Sequence, residues 1–176
     1  DAPYTYAGAN GKSVNNYDRR YRGFTTLREA ITDSINIVTV KTLAQAGVSL
    51  GWQYVQEYGF TTVDSRDMNE ALALGGITQG VSNLELTAAY AAIANQGTYI
   101  KPKFYTKILD HDGNVLIDNT TPESHTVIKD TTAWLLTSAM EDVMTSGTGT
   151  SAYFGSSMAQ AGKSGTTTSS RDALFA

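Results

Sequence analysis

A lysine set between glycines and followed by a run of hydroxyl side chains is the stretch that most restricts how this chain can fold. In Ala161-Gly162-Lys163-Ser164-Gly165-Thr166-Thr167, two β-branched threonines follow Gly165, and such residues favour an extended strand over a helix. Neighbours on a strand alternate faces, which predicts Lys163 and Gly165 on one side and Ser164 and Thr166 on the other. A glycine inside a strand often marks close approach of another chain or a ligand to the backbone. The edge so formed offers backbone hydrogen bonds, hydroxyl donors and an ammonium group. That set suits an anionic, extended substrate.

Two other readings compete. Lys-Ser-Gly alone is commonly a solvated turn. Ser157 to Ser164 also matches the phosphate-loop pattern G-x-x-x-x-G-K-[ST] except at its first glycine. That loop must lead into a helix whose first amides face the phosphates, and the residues after Ser164 (Gly-Thr-Thr-Thr-Ser-Ser) are poor helix formers. A nucleotide-binding protein is therefore the weaker alternative.

At 176 residues the chain is one domain's worth, enough to bury a core. A formal charge of −4 and the lack of a basic run speak against a nucleic-acid partner. Without cysteine there are no disulfides, thiolate nucleophiles or thiolate metal ligands. No apolar run is long enough to span a bilayer, and the start does not read as a signal peptide. Both ends read as cut, with Asp172 to Ala176 stopping inside what reads as a buried strand. The chain is expected to be a piece of a larger protein.

Residues 1 to 25 read as loop, broken by Gly8, Gly11 and Gly23. Thr26-Leu-Arg-Glu29 is a capping box opening a short helix with Leu27, Ala30 and Ile31 on its apolar face. Helices are predicted from about Ile37 to Ala46 and from about Leu50 to Tyr58, each ended by a glycine. Ala71 to Gly80 reads as a buried connection. Ser82-Asn-Leu-Glu85 is a second capping box, starting a helix to about Asn95 that packs through Leu84, Ala88, Ala91 and Ala92. Phe104 to Leu109 and Val115 to Ile117 read as a hairpin around Asp112-Gly113, and a calcium loop there lacks the required ligand spacing. Thr131 to Thr145 is predicted as an amphipathic helix burying Trp134, Leu135, Met140 and Val143, with a short helix or turn through Tyr153 and Phe154. The sum is an α/β mixture of the α+β type.

Ser34-Ile35-Asn36 falls where one helix stops and the next begins. Its hydroxyl and amide would face one cleft if Ile35 turned into the core. The competing structural role is an N-cap for the following helix. His111 and His125 have no carboxylate or nucleophile at motif spacing and read as surface residues, so neither a metal site nor a cofactor is expected. Arg19, Arg20 and Arg22, set among tyrosines, read as a solvated face or an anion contact.

Taken together, these stretches resemble the transpeptidase domain of class A (bifunctional) penicillin-binding proteins over nearly the whole chain. The resemblance is carried by Tyr17-Asp-Arg-Arg-Tyr21 with Thr26-Leu-Arg-Glu-Ala30, Ser34-Ile-Asn36, Ala73 to Tyr90, Gly147-Thr-Gly149 and Lys163-Ser-Gly-Thr-Thr167. Of the family's S-x-x-K, S-x-N and K-[ST]-G motifs, the second and third are present. No serine here has a lysine three positions on, and the resemblance places that motif before Asp1. It implies an antiparallel sheet beside a helical lobe, as in serine β-lactamases, with sheet strands lying outside both ends of the chain. It also implies a peptidoglycan D,D-transpeptidase acting through a serine acyl-enzyme on D-Ala-D-Ala stem peptides, and binding β-lactams.

In that scheme Lys163, Ser164 and Thr166 bind the substrate carboxylate, with Gly165 and Thr167 beside them. The Thr166 amide forms half of an oxyanion hole, Ser34 relays a proton to departing D-alanine, and Asn36 holds the acyl-side amide. A parent of this family would sit at the extracytoplasmic face of a bacterial membrane and carry an N-terminal anchor and a glycosyltransferase domain. A non-catalytic β-lactam sensor of the same fold is the alternative. β-Lactamases and carboxypeptidases fit less well, because the resemblance runs through the loops flanking the motifs.

Overall fold

The computed structural model describes residues 1–7, 12–155, 157–167 and 172–176. Among them run helices α1 (Leu27–Thr32), α2 (Asn36–Ala46), α3 (Val48–Glu57), α4 (Asn83–Ala94) and α5 (Asp130–Thr145). The strands are β1 (Tyr4–Thr5), β2 (Ser13–Val14), β3 (Thr98–Ile100), β4 (Lys107–Leu109), β5 (Val115–Asp118), β6 (Ser124–Thr126), β7 (Ser164–Thr166) and β8 (Ala173–Phe175). They form separate antiparallel pairs β1–β2, β3–β6, β4–β5 and β7–β8. Helix α1 packs on α2 and α5, α4 packs on α5, and α2 packs on α3. Apolar clusters lie where these meet: Ala30, Ile35 and Val38 between α1 and α2, and Val14, Ile37 and Val40 between α2 and β2.

Helix starts follow local rules. Thr26 with Glu29 and Ser82 with Glu85 each form a complete capping box. Glu85 does more than cap, because its carboxylate also accepts from the Thr61 hydroxyl (2.7 Å) and amide (2.9 Å), besides the Ser82 amide and hydroxyl. The Thr61 hydroxyl, then these amides, pull its pKa down from 4.5 to about 2. A depressed carboxylate contributes stability above its unfolded pKa and loses it as pH falls through its folded one. Glu85→Gln is therefore expected to flatten the fall in Tm between pH 4.5 and about 2, read from thermal melts in a pH series.

Several expectations need correction. Gly47 both ends α2 and precedes α3, so α3 starts at Val48, two residues earlier than predicted. Ala71 to Gly80 is not a buried connection. It is a 3-10 turn at Glu70–Leu74 burying Glu70 and Leu72, followed by a glycine-rich loop largely facing solvent. On α5 the buried residues are Ala133, Ala139, Met140, Val143 and Met144, whereas Trp134 and Leu135 are 68% and 57% exposed. Both α1 and α4 pack on α5, and Trp134 lies one helical step, about 100°, from the buried Ala133. Leu27, Leu84 and Ala91 are likewise exposed. The first 25 residues include the small β1–β2 pair, and β4 is shorter than predicted. The closing segment is a strand, yet exposed rather than buried, and it pairs with β7.

Candidate active site

Helix α1 ends in a Schellman turn: the Ser34 amide donates to the Ile31 carbonyl (3.3 Å) and the Ile35 amide to the Ala30 carbonyl (2.9 Å). That motif needs a left-handed residue, usually glycine, and here Ser34 takes the position at φ 55°. Ile35 then drops into the core at 1% exposure against Ala30 and Val38. Neither polar neighbour caps α2: its N-cap is Ile35, without a side-chain bond. The Ile37 amide is taken instead by Asn16 Oδ1 (3.2 Å). The Ser34 hydroxyl is thus released from structural duty. Asn36 spends one amide hydrogen on the Asn15 carbonyl (2.8 Å) and has a second to offer.

Facing this corner is the β7 edge. Lys163 precedes β7, and its backbone pairs with Ala176 in both directions (2.8 and 3.1 Å). Its Nζ donates to Ser34 Oγ (2.8 Å), 129 positions away, and to the Ser164 carbonyl (3.0 Å). Burial pushes the Lys163 ammonium below its ordinary pKa of 10.5. The Ser164 hydroxyl shares a hydrogen bond with Thr148 Oγ1 (3.0 Å). A strand after Lys163, rather than a helix, removes the phosphate-loop reading.

Ser34, Asn36, Lys163, Ser164, Gly165 and Thr166 line one open cleft of about 440 Å³. Thr39, Ala73, Leu74, Tyr90 and Met140 are among its other lining residues. A Cβ built on Gly165 would meet nothing within 4 Å, so the strand's backbone stands open to a ligand at that position. Thr167 is not among the lining residues. Its amide and hydroxyl are engaged with Asp172 across the β7–β8 pair. His111 pairs with Asp112 and His125 with the Glu57 carbonyl, both outside the cleft. Among the described residues no group of three His, Cys, Asp or Glu could hold a metal ion.

Sequence reasoning counted Gly147-Thr-Gly149 among the stretches that carry the resemblance but gave Thr148 no role. Gly147 lies so close to α1 that any Cβ there would strike the Thr32 carbonyl oxygen. The Thr148 amide donates to that same oxygen (3.2 Å). This contact delivers the Thr148 hydroxyl to Ser164, and only the tertiary fold reveals it.

A sequence profile described as "Penicillin binding protein transpeptidase domain" matches residues 1–173. The chain belongs to the penicillin-binding protein transpeptidase family. Penicillin-binding protein 1F of Bacillus subtilis is 38% identical over 167 residues, covering 92% of this chain and 22% of that protein. The crystal structure of penicillin-binding protein 1A from Haemophilus influenzae superposes with a TM-score of 0.85 at 25% identity, covering 99% of this chain and 32% of that one. Penicillin-binding protein 3 of Mycobacterium tuberculosis, solved in complex with ampicillin, shares the fold at 21% identity and a TM-score of 0.75 over 94% of this chain and 42% of that one. The chain thus spans about a fifth of the length of the curated relatives it matches. Its helices and paired strands are a portion of the penicillin-binding transpeptidase fold.

Proposed function

We propose that residues 1–176 are part of the transpeptidase domain of a peptidoglycan D,D-transpeptidase that cross-links stem peptides and is acylated by β-lactams. The observation that carries this reading is the 2.8 Å bond from Lys163 Nζ to Ser34 Oγ, which joins the two family motifs across one cleft. In the proposed reaction a serine outside this chain attacks the carbonyl of a D-Ala-D-Ala bond, and the acyl group moves to that serine. Ser34 passes a proton to the amine of the departing D-alanine. A second strand's amine then attacks the ester and frees the serine. Lys163, Ser164 and Thr166 hold the substrate's carboxylate, the Thr166 amide donates to the developing oxyanion, and Asn36 steadies the acyl-side amide. The parent acts at the outer face of a bacterial membrane. Among the described residues no helix is long and apolar enough to cross one.

Fluorescent penicillin tests the reading. The full-length protein is expected to be labelled covalently and to cross-link stem peptides, and the isolated 176-residue chain to stay unlabelled. Labelling of the isolated chain would contradict it, and a labelled full-length protein that never cross-links would turn the assignment to a β-lactam sensor. Ser34→Gly sharpens the test. Glycine relieves the left-handed backbone, so Tm should hold or rise, while cross-linking should fall by about 10²-fold as the relay is lost.

A further inference from the structure

The loop from Asn15 to Thr25 has no part in the reaction above, yet it is built onto the cleft. Asn16, 4% exposed, donates to the Arg20 carbonyl (2.7 Å) and accepts the Ile37 amide. Asn36 reaches back to the Asn15 carbonyl. The loop is thereby stitched to the Ser34–Asn36 corner, and Ser34 contributes both to the cleft and to a small pocket shared with Tyr17, Asp18 and Arg22. From this fixed base the loop turns its large side chains outward. Tyr17 and Phe24 are each 99% exposed, and Tyr21 is 51% exposed.

Its charges are uneven. Arg22 is held by Asp18 (3.0 Å) and approaches Asp1 (3.9 Å). Asp18, the loop's own acid, also accepts the Arg20 amide. Among the described residues neither Arg19 nor Arg20 has an ion pair or side-chain hydrogen bond. Arg19 sits at φ 57°, and its amide closes the turn onto the Asn16 carbonyl (3.0 Å). Arg19 and Arg20, the latter within coulombic reach of Asp18, thus stand beside exposed rings with no side-chain hydrogen bond among the described residues. Guanidinium forks match carboxylates, and flat rings offer an apolar face to sugar.

We propose that Tyr17, Arg19, Arg20 and Phe24 form a docking rim for a carboxylate-bearing, glycan-linked peptide, gripping the polymer outside the reacting dipeptide. The proposal rests on the cross-linking reading of the cleft and extends it to the strand that presents the reacting peptide.

The test compares the full-length protein with its Arg19→Gln/Arg20→Gln variant. Penicillin acylation reads the cleft, and binding of uncross-linked glycan strands bearing stem peptides reads the rim. The same strands with their carboxylates amidated serve as the second probe. Acylation should stay within about twofold of the parent value, and native-strand binding should weaken about fivefold, as expected for exposed charge pairs. Amidated strands should bind both proteins equally weakly. Unchanged native-strand binding in the variant overturns the rim, and so does a loss of the same size on amidated strands. If the parent protein fails to take penicillin, it is the cleft reading that falls, and strand binding still decides the rim. Should the glutamine pair misfold, Tyr17→Ala/Phe24→Ala gives the same comparison, with about threefold weaker native-strand binding supporting the rim and no change overturning it.

Discussion

Lys163→Ala in the full-length protein is expected to slow penicillin acylation by about 10²-fold, the scale of losing one preorganised charged donor in an active site, while Tm moves by no more than about 2 °C. The asymmetry follows from where the ammonium sits. It is half-buried, and burial already works against its charged form, so folding gains little from it. Its partners, Ser34 Oγ and the Ser164 carbonyl, border an open cleft where water can replace it. What is lost is the bond to the Ser34 hydroxyl and, on the proposed function, the cation that would meet the substrate carboxylate. The pH profile offers a second reading. Because the folded pKa lies below 10.5, activity that needs the ammonium should decline on the alkaline side at lower pH than a free lysine would dictate. Lys163→Arg, which keeps the charge permanently, should abolish that limb. Acylation rates measured from neutral to alkaline pH check both. A Lys163→Ala variant acylated at the parent rate would remove Lys163 from the mechanism.

Asp67→Ala is expected to cost about 3 kcal/mol, the scale of stripping the partner from buried donors. In Tm that is roughly 6–12 °C for a domain of this size. Asp67 is 1% exposed. Its carboxylate accepts the Thr78 hydroxyl (2.6 Å) and amide (2.8 Å) through one oxygen and the Asp64 amide (3.0 Å) through the other. The Thr78 hydroxyl, followed by these amides, holds its pKa below the usual carboxylate range. Asparagine repairs only half of this. Its oxygen can keep Thr78, but its amide nitrogen then faces the Asp64 N–H, donor against donor, so Asp67→Asn should recover about half of the loss. Because the clasp closes the loop that follows Ala73 and Leu74, two cleft residues, acylation should fall as well. Thermal melts and acylation rates of the two variants decide the matter, and a melt unchanged by Asp67→Ala would show the clasp to be idle.

What the sequence disclosed and what it withheld divide along a physical line. The boxes at Thr26–Glu29 and Ser82–Glu85 depend on residues three apart, and the hairpin around Asp112-Gly113 depends on a local turn, so all were legible. The placement of Trp134 and Leu135 was not. Which stripe of an amphipathic helix is buried depends on where its neighbours arrive, and α1 reaches α5 from more than a hundred positions away. The β3–β6 pair was missed because three-residue strands carry too little pattern to register. Within the cleft, Ser34, Asn36 and Lys163 announced themselves through their motifs. The left-handed turn under Ser34 did not, since serine is not the residue that turn ordinarily selects. Nor did Thr148, whose part arises from the approach of Gly147 to the Thr32 carbonyl.

Helix α1 has six residues, too few to persist alone in water. Its guanidinium at Arg28 grips α5 at the Ser138 carbonyl and hydroxyl and at Asp142, and its last turn rests on Gly147. The direction in which the Ser34 hydroxyl points is therefore on loan from α5. A change at Asp142, which does not line the cleft, is expected to reach it by letting its short neighbour swivel.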